Sequence, residues 1–460
     1  MNIIVLNGSP KGDLSVTLQY VRYAARKMPE HAFTIFPVAQ TIRKIEKDPK
    51  AFQDILDAVT RADAVWWAFP LYYLVVCSQY KRFIELIFER KREAAFAGKY
   101  ALSLSTSVHF FDHTAHNYIH AICDDLRMNY LGAYSAAMYD LMQKRERRRW
   151  LSFAQNAVDA ASRKIPTIRV YPPVVPSSFV YAPAPPAAAV DTEGKKILIM
   201  KDGQEPSGNV DAMVQTLRGN FKGEVDIVNL MDIDIKGGCL GCCKCGLDNV
   251  CDYEGKDGYI DFYNEKVKKA DVIVFAGAIF DRYLSSRWKM YFDRSFFNTH
   301  IPTLQNKQIA YLISGPLAQN PNLRQMLEAY GQIQDANVAG ILTDEAGDDR
   351  TLDALLAEFA RGLVRSAKEG ASVPLTFLGV GGRKIFRDEI YGMLRFTFQA
   401  DYRYFKKHGL LDFPQKNYKV RRLNWLMMLL TKIPAFRRKF LKILKEQMVK
   451  PLQHAAEHKE

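Results

Sequence analysis

The chain has 460 residues, 48% of them hydrophobic and 25% charged. That composition is usual for folded soluble domains, it excludes a disordered or collagen-like polymer, and the length calls for two or three domains rather than one. The net charge is +14, and from Arg383 onward 19 Lys and Arg stand against 7 Asp and Glu, so a basic tail follows a nearly neutral body. Such a tail bears on partners rather than on fold.

No apolar run approaches a membrane span, and Asn2 to Leu6 read as a strand rather than a secretory signal. A cytoplasmic, reducing location is the expectation. That first strand is apolar throughout, the pattern of a strand covered on both faces. It runs into Asn7-Gly8-Ser9-Pro10-Lys11-Gly12-Asp13-Leu14-Ser15-Val16-Thr17 and then a helical pattern to Lys27. A small-residue loop between a buried strand and a helix offers backbone N–H groups, a helix N-terminus and hydroxyls to an anion. The loop is neither GxGxxG nor GxxxxGKS, so neither nucleotide fingerprint applies.

Strands follow at Phe33–Phe36, Ala62–Ala68, Tyr100–Leu104 and Ala133–Met138, with helical patterns between them. Alternation of this kind predicts an open parallel sheet, with ligands bound beyond the carboxyl ends of its strands. Three loops leave those ends: residues 7–17, 69–78 and 105–114. Pro70-Leu71-Tyr72-Tyr73 opposite a phosphate loop suits a planar ring with a phosphate tail. Trp66 and Trp67 lie within their strand and read as core. No acid–base residue stands out, and His109, Asp112 and His113 read as surface groups.

Residues 166–194 are rich in Pro and Ala and read as an extended linker. The strand–helix pattern then restarts at Lys196. Arg61-Ala62-Asp63-Ala64-Val65-Trp66-Trp67-Ala68 resembles Lys269-Ala270-Asp271-Val272-Ile273-Val274-Phe275-Ala276, which reads as an internal repeat. Helices are expected at 260–269 and, later, through 391–407. The second copy carries Asp202 and Glu205 in its first loop, where they would repel a phosphate, and Ala278-Ile279-Phe280 in place of Pro70-Leu71-Tyr72.

Five of the seven cysteines fall between Cys239 and Cys251. Cys239, Cys242, Cys245 and Cys251 give C-x2-C-x2-C-x5-C on one short loop, a four-thiolate arrangement of the kind that holds a [4Fe–4S] cluster. Zinc sites more often use two C-x2-C pairs with a longer spacer, and a loop of unliganded thiols is the plain alternative. Cys243 falls out of register, and Cys77 and Cys123 read as small buried residues.

Gly8-Ser9-Pro10 with Ser15 and Thr17, Pro70-Leu71-Tyr72, Thr106-Ser107 and the cysteine run together resemble the flavodoxin-like NAD(P)H-dependent FMN reductases, and within them the iron–sulfur flavoproteins. The resemblance covers roughly 1–165 and 195–345. It implies two tandem flavodoxin-like, doubly wound, five-stranded parallel sheets, followed by a basic helical tail. The domains would be an FMN-binding 1–165, a linker 166–194, a cysteine-bearing 195–370 with a degenerate flavin site, and a tail 371–460. FMN would rest on Ser9, Pro10, Lys11, Ser15, Thr17, Pro70, Leu71, Tyr72, Thr106 and Ser107, and the cluster on Cys239, Cys242, Cys245 and Cys251. NAD(P)H or a reduced carrier would supply electrons to a small-molecule or protein acceptor. Family members act as homodimers with both features in one domain, so this chain reads as a fused pseudo-dimer, open to further oligomerisation. The alternatives are an FMN or quinone reductase without a cluster, and a non-catalytic metal-binding or scaffold protein. Within the tail, 420–460 reads as a basic amphipathic segment for an anionic membrane surface, which would place the protein peripherally on a membrane. No nucleic-acid module is visible.

Overall fold

The computed structural model describes residues 1–185, 188–203, 208–412 and 417–457. Pro186, Ala187 and Glu205 lie outside the described residues, as do the side chains of Lys445 and Met448.

Ile3 to Leu6 are buried along the whole of β1 (Asn2–Asn7), as a strand between two helical layers requires. With β2 (Ala32–Phe36), β3 (Ala64–Pro70), β4 (Tyr100–Ser107) and β5 (Asn129–Ala137) it makes a parallel sheet ordered β2-β1-β3-β4-β5. Its helices are α1 (Val16–Lys27), α2 (Ile42–Lys47), α3 (Pro49–Arg61), α4 (Ser78–Glu89), α5 (Asp112–Asp125) and α6 (Lys144–Ser162). Trp66 and Trp67 enter cores on opposite faces of β3, as alternation dictates. Trp66 meets Trp150 of α6 edge-on at 5.8 Å, and Trp67 stacks on Phe96 at 5.8 Å.

A two-stranded ribbon, β6 (Val190–Asp191) with β8 (Phe221–Lys222), flanks the second sheet. That sheet comprises β7 (Ile197–Lys201), β9 (Val225–Asn229), β10 (Val272–Ala278), β11 (Gln308–Ser314) and β12 (Asn337–Thr343). Its order is β9-β7-β10-β11-β12, all parallel, so the two sheets share one topology. The helices here are α7 (Asn209–Gly219), α8 (Cys245–Asp248), α9 (Tyr259–Glu265), α10 (Ser286–Ser295), α11 (Pro321–Ile333) and α12 (Asp349–Glu369). The helix expected over 260–269 stops at Glu265 and tightens into a 3-10 turn, Val267–Lys269.

The two halves meet through α4 and α10, and their contacts come in pairs. The Ser78 amide donates to Asp293 Oδ2 at 2.7 Å, and the Ser286 amide donates to Glu85 Oε1 at 2.5 Å. Lys81 pairs with Glu85 at 2.8 Å, and Lys289 pairs with Asp293. Residues in equivalent roles are 208 apart: 78 and 286, 81 and 289, 85 and 293. A contact repeated with its partners exchanged is the mark of a two-fold interface.

Beyond α12 come α13 (Phe377–Tyr391) and α14 (Gln399–Lys407). The single helix expected through 391–407 is broken. The Gly392 amide closes α13 on the Asp388 carbonyl at 3.0 Å, and the next turns tuck Leu394 and Phe398 inward. Residues 1–405 form one compact unit, so both sheets and α13 belong to it, and 406–460 form another. The second unit contains α15 (Tyr418–Leu430) and α16 (Pro434–Glu457), and α15 buries none of its residues. Among the described residues, no helix is long and apolar enough to cross a membrane.

Candidate functional site

The loop after β1 folds by its own polar groups. The Ser9 amide donates to Asn7 Oδ1 at 3.1 Å, the Lys11 amide to Ser9 Oγ at 3.3 Å, and Ser15 Oγ caps α1 by accepting from the Leu18 amide. Gly8 must be glycine, because a Cβ there would sit 2.7 Å from the Tyr80 ring. Thr17 Oγ1 and Thr106 Oγ1 share a hydrogen bond of 2.6 Å, which ties this loop to the end of β4. After β3, Pro70 leads into a turn closed by paired Tyr72–Val75 hydrogen bonds, and Tyr73 and Leu74 take positive φ. Left-handed backbone at residues of that size stores strain of about 1–3 kcal/mol, which the surrounding contacts must hold.

The cysteine loop lies against this turn. Gly241, at φ +64°, has no room for a side chain: a Cβ would fall 1.8 Å from the Tyr72 hydroxyl. Gly238 approaches the start of α4, and Gln79 Nε2 donates to the Cys239 carbonyl at 3.1 Å. From the other side Arg294 holds the loop. It donates to the Gly237 carbonyl at 3.0 Å, forks onto Asp257 at 2.7 and 3.0 Å, and stacks over the Tyr253 ring at 4.0 Å.

These loops enclose a cavity of about 260 Å³. Ser9, Lys11, Ser15, Pro70, Leu71, Tyr72, Thr106 and Ser107 line it, and so do Cys239, Cys242, Cys245 and Cys251. The two groups picked out in the sequence thus face one space, although they belong to different sheets. Pro10 and Thr17 are not among its lining residues. Burial raises the thiol pKa of Cys239, Cys243 and Cys251, and pushes Cys245 up to about 12. Among the described residues, no three His, Cys, Asp or Glu side chains converge tightly enough to hold a metal ion. Of the four spaced thiols, Cys245 is buried, Cys239 and Cys251 are half-buried and Cys242 is exposed.

Residues 1–140 match the NADPH-dependent FMN reductase family. The match spans the first sheet and the three loops after β1, β3 and β4. Among solved structures the chain resembles an NADH:FMN oxidoreductase, with 19% identity over 35% of this chain and 89% of that one at a TM-score of 0.30. It also resembles a flavoenzyme NAD(P)H:(acceptor) oxidoreductase from Paracoccus denitrificans, with 16% identity, 35% and 97% coverage and a TM-score of 0.30. A third is an FMN-dependent NADH-azoreductase from Bacillus anthracis in complex with FMN, with 14% identity, 36% and 99% coverage and a TM-score of 0.26. No curated protein matches the chain. The FMN reductase match ends before the linker, so the cysteine loop, the second sheet and α13 lie outside it.

The corresponding place in the second half is different. Ala278, Ile279 and Phe280 line a second cavity, but linker residues Pro173, Pro176 and Phe179 form its other wall. Asn209, the first residue of α7, donates to the Phe179 carbonyl at 2.9 Å and accepts from the Tyr181 amide at 2.8 Å. Asp344 accepts from Asn209 Nδ2, Ser314 Oγ and the Gly315 amide at 2.7–2.9 Å. The donors at these strand ends are therefore engaged from within the chain. Asp202 is held by Ser285, and burial lifts its carboxyl to about 6.

Several cavity residues gave no sign in the sequence. Phe386, Leu394 and Phe398 close the cavity from the segment after α12, together with His300, Phe296 and Phe297. They share no spacing that periodicity reveals. His109 and His113, by contrast, are exposed.

Proposed function

We propose that the chain is a flavin-dependent oxidoreductase that holds one FMN in the first half, faced by a [4Fe–4S] cluster on the cysteine loop of the second. One observation carries this reading: eight of the ten predicted FMN residues and the four spaced cysteines line the same cavity. Ser9, Lys11 and Ser15 would receive the phosphate, with Thr17 and Thr106 bracing that loop through their shared hydrogen bond. Pro70-Leu71-Tyr72 and Thr106-Ser107 would border the ring, and Cys239, Cys242, Cys245 and Cys251 would ligate the iron. FMN takes a hydride or two electrons and a cluster passes single electrons, so the pair converts between the two currencies. NAD(P)H or a reduced carrier serves as donor, as the description of the matched family suggests.

In the same reading the two halves form an internal pseudo-dimer, supported by the exchanged α4–α10 contacts. The domain limits proposed from the sequence are 1–165, linker 166–194, 195–370 and 371–460, with α13 at the start of the last packed into the compact unit 1–405. The last of these carries α15 and α16, whose exposed Trp425, Leu426 and Met428 among Arg421, Arg422 and Arg437 suit an anionic membrane surface. Binding of the full chain to vesicles with and without phosphatidylserine checks that part, and equal binding to both would refute it.

A reductase with unmetallated thiols is the second reading, favoured by the absence of any converged metal group among the described residues. An anaerobic visible spectrum with iron and sulfide counted per chain decides between the two. About four of each beside one FMN supports the pair, and FMN without iron supports the second reading. Ser9→Ala/Ser15→Ala should abolish flavin while leaving iron in place. Flavin retained by that variant would refute the assignment of the first loop.

A further inference from the structure

The cavity wall carries charged groups that are, with few exceptions, already committed. Arg294 is locked to Asp257, Asp293 to Lys289, and Asp252 to Lys244. Lys11 belongs to the phosphate loop. That leaves His300, which follows the 3-10 turn after α10 and takes its partner from a segment that the family match does not reach. Its Nδ1 lies 2.6 Å from Asp401 Oδ2, and the His300 amide donates to Asp401 Oδ1 at 3.1 Å. Thr299 Oγ1 adds a further bond to the same carboxylate. Asp401 is completely buried, and the His300 side chain is 8% exposed.

A carboxylate that accepts from the Thr299 hydroxyl, the His300 amide and Nδ1 orients the neutral ring as the Nδ1–H tautomer. Nε2 then has no hydrogen-bond partner among the described residues. The ring is clamped by Phe386 at 3.9 Å, Phe398 at 5.0 Å and Phe296 at 5.2 Å, all of them cavity residues. An orienting carboxylate at Nδ1 and a free Nε2 at an apolar cavity wall are the parts of a proton carrier: Nε2 takes a proton from water, Asp401 faces the imidazolium so formed, and Nε2 then gives the proton up as a general acid.

We propose that His300, positioned by Asp401, is the proton donor to an apolar carbonyl-bearing acceptor bound in the aromatic end of the cavity. This rests on the flavin reading given above. The acceptor would gain a hydride equivalent from the reduced cofactor and, on its oxygen, one proton from Nε2 of the His300 imidazolium, so that a C=O becomes an O–H. The imidazole, left neutral, recovers its proton from water. Asp401 is a positioning residue.

The test uses the full chain, loaded with FMN, and two acceptors: a benzoquinone, which must be protonated, and ferricyanide, which takes an electron without a proton. His300→Gln should lower quinone reduction about 100-fold, with ferricyanide reduction and FMN content unchanged. Asp401→Asn should fall in the same direction and shift the pH profile of quinone reduction alone. Equal rates with quinone, or a parallel loss with both acceptors, would overturn the proposal. In the FMN-free chain, nitrogen-15 imidazole spectra should show the neutral form of His300 as the Nδ1–H tautomer, with the proton taken up on acidification going to Nε2, and Asp401→Asn should release the tautomer. The opposite tautomer in the wild type would also overturn the proposal. A wild-type chain that takes up no FMN would instead overturn the flavin reading, a result that the tautomer measurement keeps separate.

Discussion

The Lys289–Asp293 pair sits at the meeting of the two halves with both side chains fully buried, which makes a sharp prediction possible. Asp293 Oδ2 also receives the Ser78 amide, and Lys289 Nζ donates to the Tyr72 carbonyl at 2.9 Å. Asp293→Asn keeps an acceptor for Ser78 but leaves the ammonium with one neutral partner. Removing one member of a buried pair costs about 3–5 kcal/mol, because a charge is stranded. Adding Lys289→Met removes the stranded charge and leaves chiefly the Tyr72 carbonyl unpaired, at about 1–3 kcal/mol. The double variant should therefore be more stable than Asp293→Asn alone by about 2 kcal/mol. Urea denaturation followed by tryptophan fluorescence measures both. A double variant no more stable than the single one would show that the ammonium is not what makes the pair costly to break, and the account of this interface would fail.

Other consequences are equally direct. Gly241→Ala places a Cβ on the Tyr72 hydroxyl at a left-handed residue, and should cost about 1–3 kcal/mol and weaken FMN binding, read by equilibrium dialysis. His116 is bonded to Ser103 and Ser105 at 2.7 and 2.8 Å, and burial lowers its pKa to about 4. Its folded value lies below its unfolded value, so the neutral ring contributes fully above about pH 6.5. That contribution, about 3 kcal/mol, is lost as the pH falls toward 4. Asp202, lifted to about 6, has the opposite sign, and stability from its neutral form is lost as the pH rises through 6. The test is therefore the difference between wild type and His116→Gln across pH 4–7, and a flat difference would contradict it. FMN at about 100 times its dissociation constant should add about 2.7 kcal/mol to the wild type, and nothing to the Ser9→Ala/Ser15→Ala variant, in thermal unfolding.

Much of the scaffold could be read from residue order because it depends on short-range pattern. Apolar runs such as Ile3–Leu6 and Val272–Ala276 lie between helices whichever partners they find, and the resemblance of 61–68 to 269–276 corresponds to strands with the same place in two sheets. The spacing of the cysteines was equally local. Their nearness to Tyr72 was not, since it depends on α4 packing against α10 and on two glycines that look like any loop glycines. His300 and Asp401 are a hundred residues apart, and neither lies in a motif. The role of the linker was hidden for a similar reason. Its prolines announce an extended chain, but the Asn209, Phe179 and Tyr181 bonds that seat it over the second half arise only once the sheet exists.

The paired contacts between α4 and α10 carry a further meaning when set beside the unequal cavities. In a two-fold assembly of identical subunits, every substitution is made twice, and a change that improves one site is imposed on the other. Here each position of the interface is encoded separately: Tyr72 can face a cysteine loop while its counterpart Phe280 faces a cavity walled by linker prolines. The interface keeps the economy of symmetry, while the chain is free to shape one cavity with a cysteine loop and to wall the other with its own linker.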